Sequence, residues 1–119
     1  MKLKDIVAAS NVIDRFALKE DMGVHLAYMM SKFIVSTKED VAFYQKKLDE
    51  LLLKYQVTQD ANGIKTEGDY EEFSNALKEL QETDVIDPGI RFSLSELSNE
   101  LKMSPQQIYP LLNFIEEDK

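Results

Sequence analysis

The stretch from Val24 to Tyr55, VHLAYMMSKFIVSTKEDVAFYQKKLDELLLKY, decides the fold of this chain. It contains neither glycine nor proline, and its apolar or semi-apolar positions recur about every 3.6 residues, the period of a straight α-helix. These positions are Leu26, Met30, Phe33, Thr37, Val41, Tyr44, Leu48, Leu51 and Tyr55. The stretch therefore predicts one long helix of roughly thirty residues, about 45 Å in length.

One alternative divides this helix in two. The segment from Ser36 to Asp40 resembles a capping box, which marks the start of a helix. The apolar stripe passes through the segment without a change of phase, and this continuity favours the single helix.

A shorter helix is predicted before the long one. Apolar residues recur at helical spacing from Leu3 to about Leu18, with charged and polar residues between them. The polar residues 19–21 and then Gly23 interrupt the pattern. We therefore expect a tight connection between the two helices.

The chain after Tyr55 becomes polar and turn-rich as far as Gly68. Within it, Asn62-Gly63 is a turn dipeptide that favours a minimal hairpin between Val57 and Ile64. We expect a loop here, with the hairpin as its most regular part.

Another helix is predicted from Asp69 to near Thr83, because Asp69 followed by Glu72 has the spacing of a capping box. Residues 84–92 then place the Pro88-Gly89 turn between two short apolar pairs. The expected fold is thus mainly α: a helical bundle built around one long helix, with a small extended arm or β-hairpin near residues 84–92. Its length suits a single helical domain over residues 1–119.

Residues 93–117 resemble the helix-turn-helix of winged-helix regulators, with a short leucine-bearing helix, a Ser104-Pro105 break and a second apolar run. A recognition helix needs cations that meet phosphates, yet Lys102 and Lys119 face five carboxylates in this part of the chain. Pro110 also falls inside the second helix, where it removes a backbone donor. These features favour a helical hairpin that caps the core and argue against DNA binding, although a transcriptional regulator stays as an alternative.

Several classes of function find no support in the sequence. There is no cysteine, and His25 is the single histidine, so no metal-ligand cluster can be recognised. We find no phosphate-binding glycine loop, nucleophile elbow or zinc-peptidase motif. The sequence predicts a protein that is not an enzyme and needs no cofactor or metal.

The N-terminus lacks the features of a signal peptide, which indicates a cytoplasmic protein. The most apolar window, from Met22 to Val35, is too short to cross a membrane and contains charged residues, so no membrane association is expected. Its apolar residues cover more than one helix face, which predicts a contact surface for another protein or a second copy. The candidate partner-binding residues are Met22, Leu26, Tyr28, Met29, Met30, Phe33 and Ile34. The alternative is a helix packed between other helices of the same chain.

The net charge of −8 is unevenly distributed. Residues 1–65 hold ten Lys/Arg and nine Asp/Glu, a balance of +1, whereas residues 66–119 hold four and thirteen, a balance of −9. An acidic half keeps a protein soluble and suits a basic partner. A further alternative is therefore an acidic decoy that inhibits a nucleic-acid-binding defence protein of a host.

The chain also resembles a family of short phage and prophage proteins of unknown function. The likeness lies in the opening from Leu3 to Ala9, in Val24 to Tyr28, in Leu52 to Tyr55, and in the run from Ile90 to Leu97. These are apolar patterns without catalytic residues. The resemblance implies a setting, since small phage proteins often act as assembly chaperones, regulators or inhibitors of host defence. Within this setting we expect a non-enzymatic helical protein of the host cytoplasm that binds other proteins, as an assembly chaperone or accessory factor does.

Overall fold

A computed structural model describes residues 1–60, 63–66 and 68–116 of the protein. The fold is mainly α and is built around one long helix, which confirms the predicted class. Along the chain the elements are α1 (Leu3–Phe16), α2 (Val24–Lys54), β1 (Val57–Asp60), β2 (Gly63–Thr66), α3 (Tyr70–Gln81), β3 (Phe92–Ser93), α4 (Leu94–Glu100), α5 (Pro105–Ile108), a 3₁₀ helix (Tyr109–Phe114) and β4 (Ile115–Glu116).

Helix α2 is continuous over 31 residues, about 46 Å, as the unbroken stripe predicts. The capping-box pattern at residues 36–40 does not begin a new helix. Thr37 is buried, and its hydroxyl donates to the carbonyl oxygen of Phe33 at 2.8 Å, one turn back in the same helix. Within the segment that resembles a capping box, the Thr37 hydroxyl therefore bonds back to the helix that is already formed.

Helices α1 and α3 lie end to end along α2. Helix α1 packs on the first half of α2, to which a short connection joins it, and α3 packs on the second half. Where the two meet, the Leu3 amide donates to the Thr83 carbonyl at 2.8 Å and the Val85 amide donates to the Met1 carbonyl at 2.8 Å. Lys2 also binds Asp84, and Lys4 binds Glu82, both at 2.6 Å.

The predicted hairpin after α2 is formed by β1 and β2. The strands pair antiparallel from Val57 with Thr66 to Asp60 with Gly63. Gly63 has φ +117°, a conformation that glycine adopts without strain. Asn62, the other residue of the predicted turn, lies outside the described residues.

Residues 84–92 form the extended segment that the sequence predicts, with Gly89 at φ +74° in the Pro88-Gly89 turn. In the described chain the segment does not fold back on itself as a hairpin. Instead β3 pairs with β4 in parallel, which joins Phe92 to Ile115 and Ser93 to Glu116. The partner strand comes from the far end of the sequence, where local patterns give no signal.

The main core lies at the first half of α2, between α1 and the segment from residue 90 to residue 114. Phe33 lies at the centre of this core. The centroid of the Phe33 ring lies 5.0 Å from that of Phe114 and 6.0 Å from that of Phe92. A smaller apolar cluster at the far end joins Tyr55 to Phe73, with ring centroids 5.9 Å apart.

The molecule is elongated, with extents of 50 × 32 × 23 Å. Its radius of gyration over Cα atoms is 16.6 Å, whereas a compact chain of this length has ~13.5 Å. The second half of α2, residues 38–54, extends from the main core together with α3, and we call this pair the helical arm.

Candidate interaction surfaces

The predicted partner-binding window divides in the structure, and for three of its residues the prediction is wrong. Leu26, Met30 and Phe33 are buried in the main core. They lie on the face of α2 that α1 and the C-terminal segment cover, so they cannot contact a partner while the protein is folded. Here the alternative interpretation, a helix packed between other helices of the chain, holds.

The other four residues of the window lie nearer the surface. Met22, Met29 and Ile34 are half-buried and pack against the core, whereas Tyr28 is exposed by 61%. A charge at Met29 or Ile34 would therefore disturb the core as well as any interface.

Tyr28 belongs to a row that faces away from the core. Val24 and Val35, exposed by 86% and 73%, project from α2 in nearly the same direction as Tyr28, because the three positions fall at helical spacing. We call Val24, Tyr28 and Val35 the outer stripe. A shallow depression between Tyr28 and Val35 is lined in addition by Ser31, Lys32 and Ser36, so polar side chains interrupt the stripe.

The helical arm also carries apolar side chains that are not fully covered. From residue 38 to residue 54 no side chain of α2 is buried, although seven are large and apolar: Val41, Phe43, Tyr44, Leu48, Leu51, Leu52 and Leu53. Helix α3 supplies only Phe73 and Leu80 as buried residues. Helix α3, with 12 residues, covers these positions only in part: Phe43 and Leu53 are exposed, and the other five residues are half-buried.

A groove runs between the two helices of the arm, with a volume of about 390 Å³. Its apolar surface comes from Phe43 and Leu51 of α2 and from Ala76 and Leu80 of α3. Phe43 is exposed by 47% at the edge. We call this feature the arm groove.

The two rims of the arm groove differ in charge. Lys47 and Lys54 lie on the α2 rim together with Glu50, whereas the charged residue of the α3 rim is Glu79. The Lys54 ammonium lies 5.3 Å from the centroid of the Tyr55 ring. Among the described residues, neither Lys54 nor Glu79 has an oppositely charged group within 4.0 Å. Within that part of the chain, the two charges are not engaged in an ion pair.

The sequence did not predict the arm groove, because the predicted contact surface was placed in the most apolar window of the chain. The available signal was the imbalance between seven large apolar residues on half of α2 and the short helix that follows the hairpin. That comparison needs the knowledge that α3 packs on this half of α2, which the apolar stripe alone does not provide.

The helix-turn-helix pattern does not form a continuous second helix. Helix α5 has four residues and is capped by Ser104, whose hydroxyl accepts a hydrogen bond from the Gln107 amide. The chain then continues as the 3₁₀ helix that contains Pro110. This is the hairpin-like cap on the core that Pro110 favours, since Leu111 and Phe114 are buried.

His25 lies at the start of α2, and its Nδ1 is 2.8 Å from a carboxylate oxygen of Glu96 on α4. Within the described residues no group of three His, Cys, Asp or Glu side chains could hold a metal ion. No helix in that part of the chain is both long and apolar enough to cross a membrane.

Comparisons with protein-family models, curated proteins and solved structures gave no match to this chain. The resemblance to phage proteins therefore stays a prediction, and we infer a function from the exposed surfaces of the molecule.

Proposed function

We propose that this protein acts by binding another protein chain, through the arm groove, and not by catalysis. The observation that carries the proposal is the absence of any buried side chain between residues 38 and 54 of α2, in a segment with seven large apolar residues. Uncovered apolar surface in a concave groove with charged rims is typical of sites that bind a helix or a second bundle.

The proposed class of function is the one that the sequence favours, but the proposed contact surface is a different one. The sequence prediction placed the contact in the first half of α2, where the core now occupies three of the seven residues. The arm groove has the properties that were sought there. An assembly chaperone or accessory factor in the cytoplasm of a phage host is the form of this proposal that the sequence resemblance supports.

Site-specific crosslinking in expressing cells tests the proposal. A photo-crosslinking phenylalanine analogue replaces Phe43 at the groove, and in a matched variant it replaces Leu53, which is exposed by 80% on another face of the same helix. We expect a discrete adduct from position 43 and none from position 53. The absence of an adduct from position 43, or the same adducts from both positions, would contradict the proposal.

A further inference from the structure

We propose that the occupant of the arm groove is the arm of a second copy of this chain, so that two arms form a four-helix bundle with two-fold symmetry. This inference rests on the proposed function, because it names the partner of the same groove. It is carried by the charges on the two rims and by the apolar lining of the groove between them.

Under two-fold symmetry, the basic α2 rim of each copy can face the acidic α3 rim of the other. In a symmetric dimer each contact occurs twice, and α2 of one copy can lie against α3 of the other. The α2 rim then brings Lys47 and Lys54 toward the partner's α3 rim, where Glu79 lies without an ion-pair partner among the described residues of its own chain. In the reverse arrangement, α2 lies against α2 and the lysines of the two copies face each other. Repulsion between these like charges disfavours it.

The apolar groove suits a bundle. Two-helix hairpins dimerise when each leaves one apolar face uncovered, because four helices enclose a core that two cannot. In the dimer Phe43 and Leu51 would be covered by the other copy, and Leu80 would become part of a closed core. Glu50 lies on the same rim as the lysines and binds Lys47 at 3.3 Å, so Lys54 is the stronger candidate for a contact between copies.

The size of the arm predicts a weak dimer. Helix α3 has 12 residues, about 18 Å, and two adjacent helices are about 20 Å wide. Such a face covers ~360 Å² on each copy, or ~720 Å² in total, which is less than the ~1,200–2,000 Å² of stable specific interfaces and is typical of weak, transient contacts. We therefore expect dissociation in the micromolar range, with a dimer that weakens as salt concentration rises.

Sedimentation equilibrium of the purified full chain between about 1 µM and several hundred µM tests the inference. The expected result is a monomer–dimer equilibrium. Phe43→Glu should weaken the dimer by at least about tenfold, because it places a charge in the apolar contact. Leu53→Glu, the matched control, should leave it unchanged, and circular dichroism confirms that each variant is folded.

A charge exchange tests the pairing of the rims. One variant carries Lys47→Glu and Lys54→Glu, which makes both of its rims acidic; the other carries Glu79→Lys, which adds a cation to the α3 rim. Each alone should dimerise more weakly than the unmodified chain, whereas their mixture should form a heterodimer, because opposite charges then meet at both contacts.

A folded chain that stays monomeric over the whole range, or a dimer that resists Phe43→Glu and is lost with Tyr28→Glu in the outer stripe, would overturn the inference. So would a mixture that associates no better than its two components. A monomer that still forms an adduct with a different protein from position 43 would refute the second copy as occupant and leave the proposed function intact. The absence of any adduct from position 43 would refute the proposed function.

Discussion

Phe33 shows how one side chain joins three parts of the sequence. Its ring contacts Phe92 before α4 and Phe114 in the 3₁₀ helix, and it is fully buried. Phe33→Ala should lower the free energy of unfolding by about 3–5 kcal/mol, because it removes apolar contacts and leaves a cavity. Urea denaturation gives the value. Val35→Ala, on the exposed face of the same helix, should change it by less than about 0.5 kcal/mol. Similar losses for the two variants would contradict this assignment of the core.

Asp87 carries a carboxyl group whose pKa depends on the fold. The Arg91 guanidinium donates to both of its oxygens, at 2.6 and 3.1 Å, and the Gly89 amide donates at 2.8 Å. These bonds lower the pKa of Asp87 from its ordinary value of 3.8 to about 2. Because the pKa is lower in the folded chain than in the unfolded chain, the ionised Asp87 carboxylate stabilises the fold above pH ~4. This contribution is lost as the pH falls from ~4 to ~2.

Asp87→Asn should therefore be less stable than the unmodified chain at neutral pH, with a difference that disappears toward pH 2. The effect should be small, because both side chains are more than a third exposed and solvent screens the pair. Urea midpoints measured from pH 7 to pH 2 test this. A difference that stays constant over the whole range would show that the ion pair does not couple to folding.

At the scale of elements, the helical arm should be less stable than the main core. It has few buried residues, and low contact density favours local opening. The start of α3 is held by Asp69, whose carboxylate accepts a hydrogen bond from the Glu72 amide at 3.1 Å. Removal of such a cap costs about 1 kcal/mol.

Asp69→Ala should accelerate amide hydrogen exchange in α3 by about fivefold, which corresponds to this loss, and leave α1 unchanged. Ser104→Ala is the matched control, because it removes the same kind of cap from α5, which borders the main core. It should leave exchange in α3 as it was. Equal acceleration in α1 and α3 after Asp69→Ala would mean that the arm and the core open together.

The distribution of charge differs between the sequence and the whole molecule. Along the sequence the second half is acidic, but in space Lys2 and Lys4 from the first half bind Asp84 and Glu82 from the second. These bonds raise the pKa of Lys4 and lower that of Glu82. The asymmetry is therefore partly neutralised where α1 meets α3, and this weakens the case for an acidic decoy.

We predict negligible affinity for duplex DNA at physiological salt. The chain has a net charge of −8, and Lys102 is the one basic residue among the described residues from 93 to 116. Binding to DNA requires several contacts between cations and phosphates. Fluorescence anisotropy with random and operator-like duplexes tests the prediction, and binding at micromolar concentrations or tighter would restore the regulator hypothesis.

The sequence by itself determined the helices, their approximate ends and the mainly α class, because these depend on local chemistry. The apolar periodicity correctly predicted that α2 continues through residues 36–40, where the sequence resembles a capping box. Asp69 and Ser104 accept hydrogen bonds from the first-turn amides of their helices. Helix α5 ends two residues before Pro110, which has no backbone N–H to continue the α-helical hydrogen bonds.

The tertiary structure alone decided which apolar residues are covered. Phe33 and Val35 are both apolar members of one window, yet one is fully buried and the other is exposed, because α1 and the C-terminal segment reach only one side of α2. The pairing of Phe92 with Ile115 and the incomplete cover of the arm likewise depend on segments distant in sequence. Local patterns fix which residues can be buried, whereas burial itself is a property of what packs against them, and so the arm groove became visible only in the folded molecule.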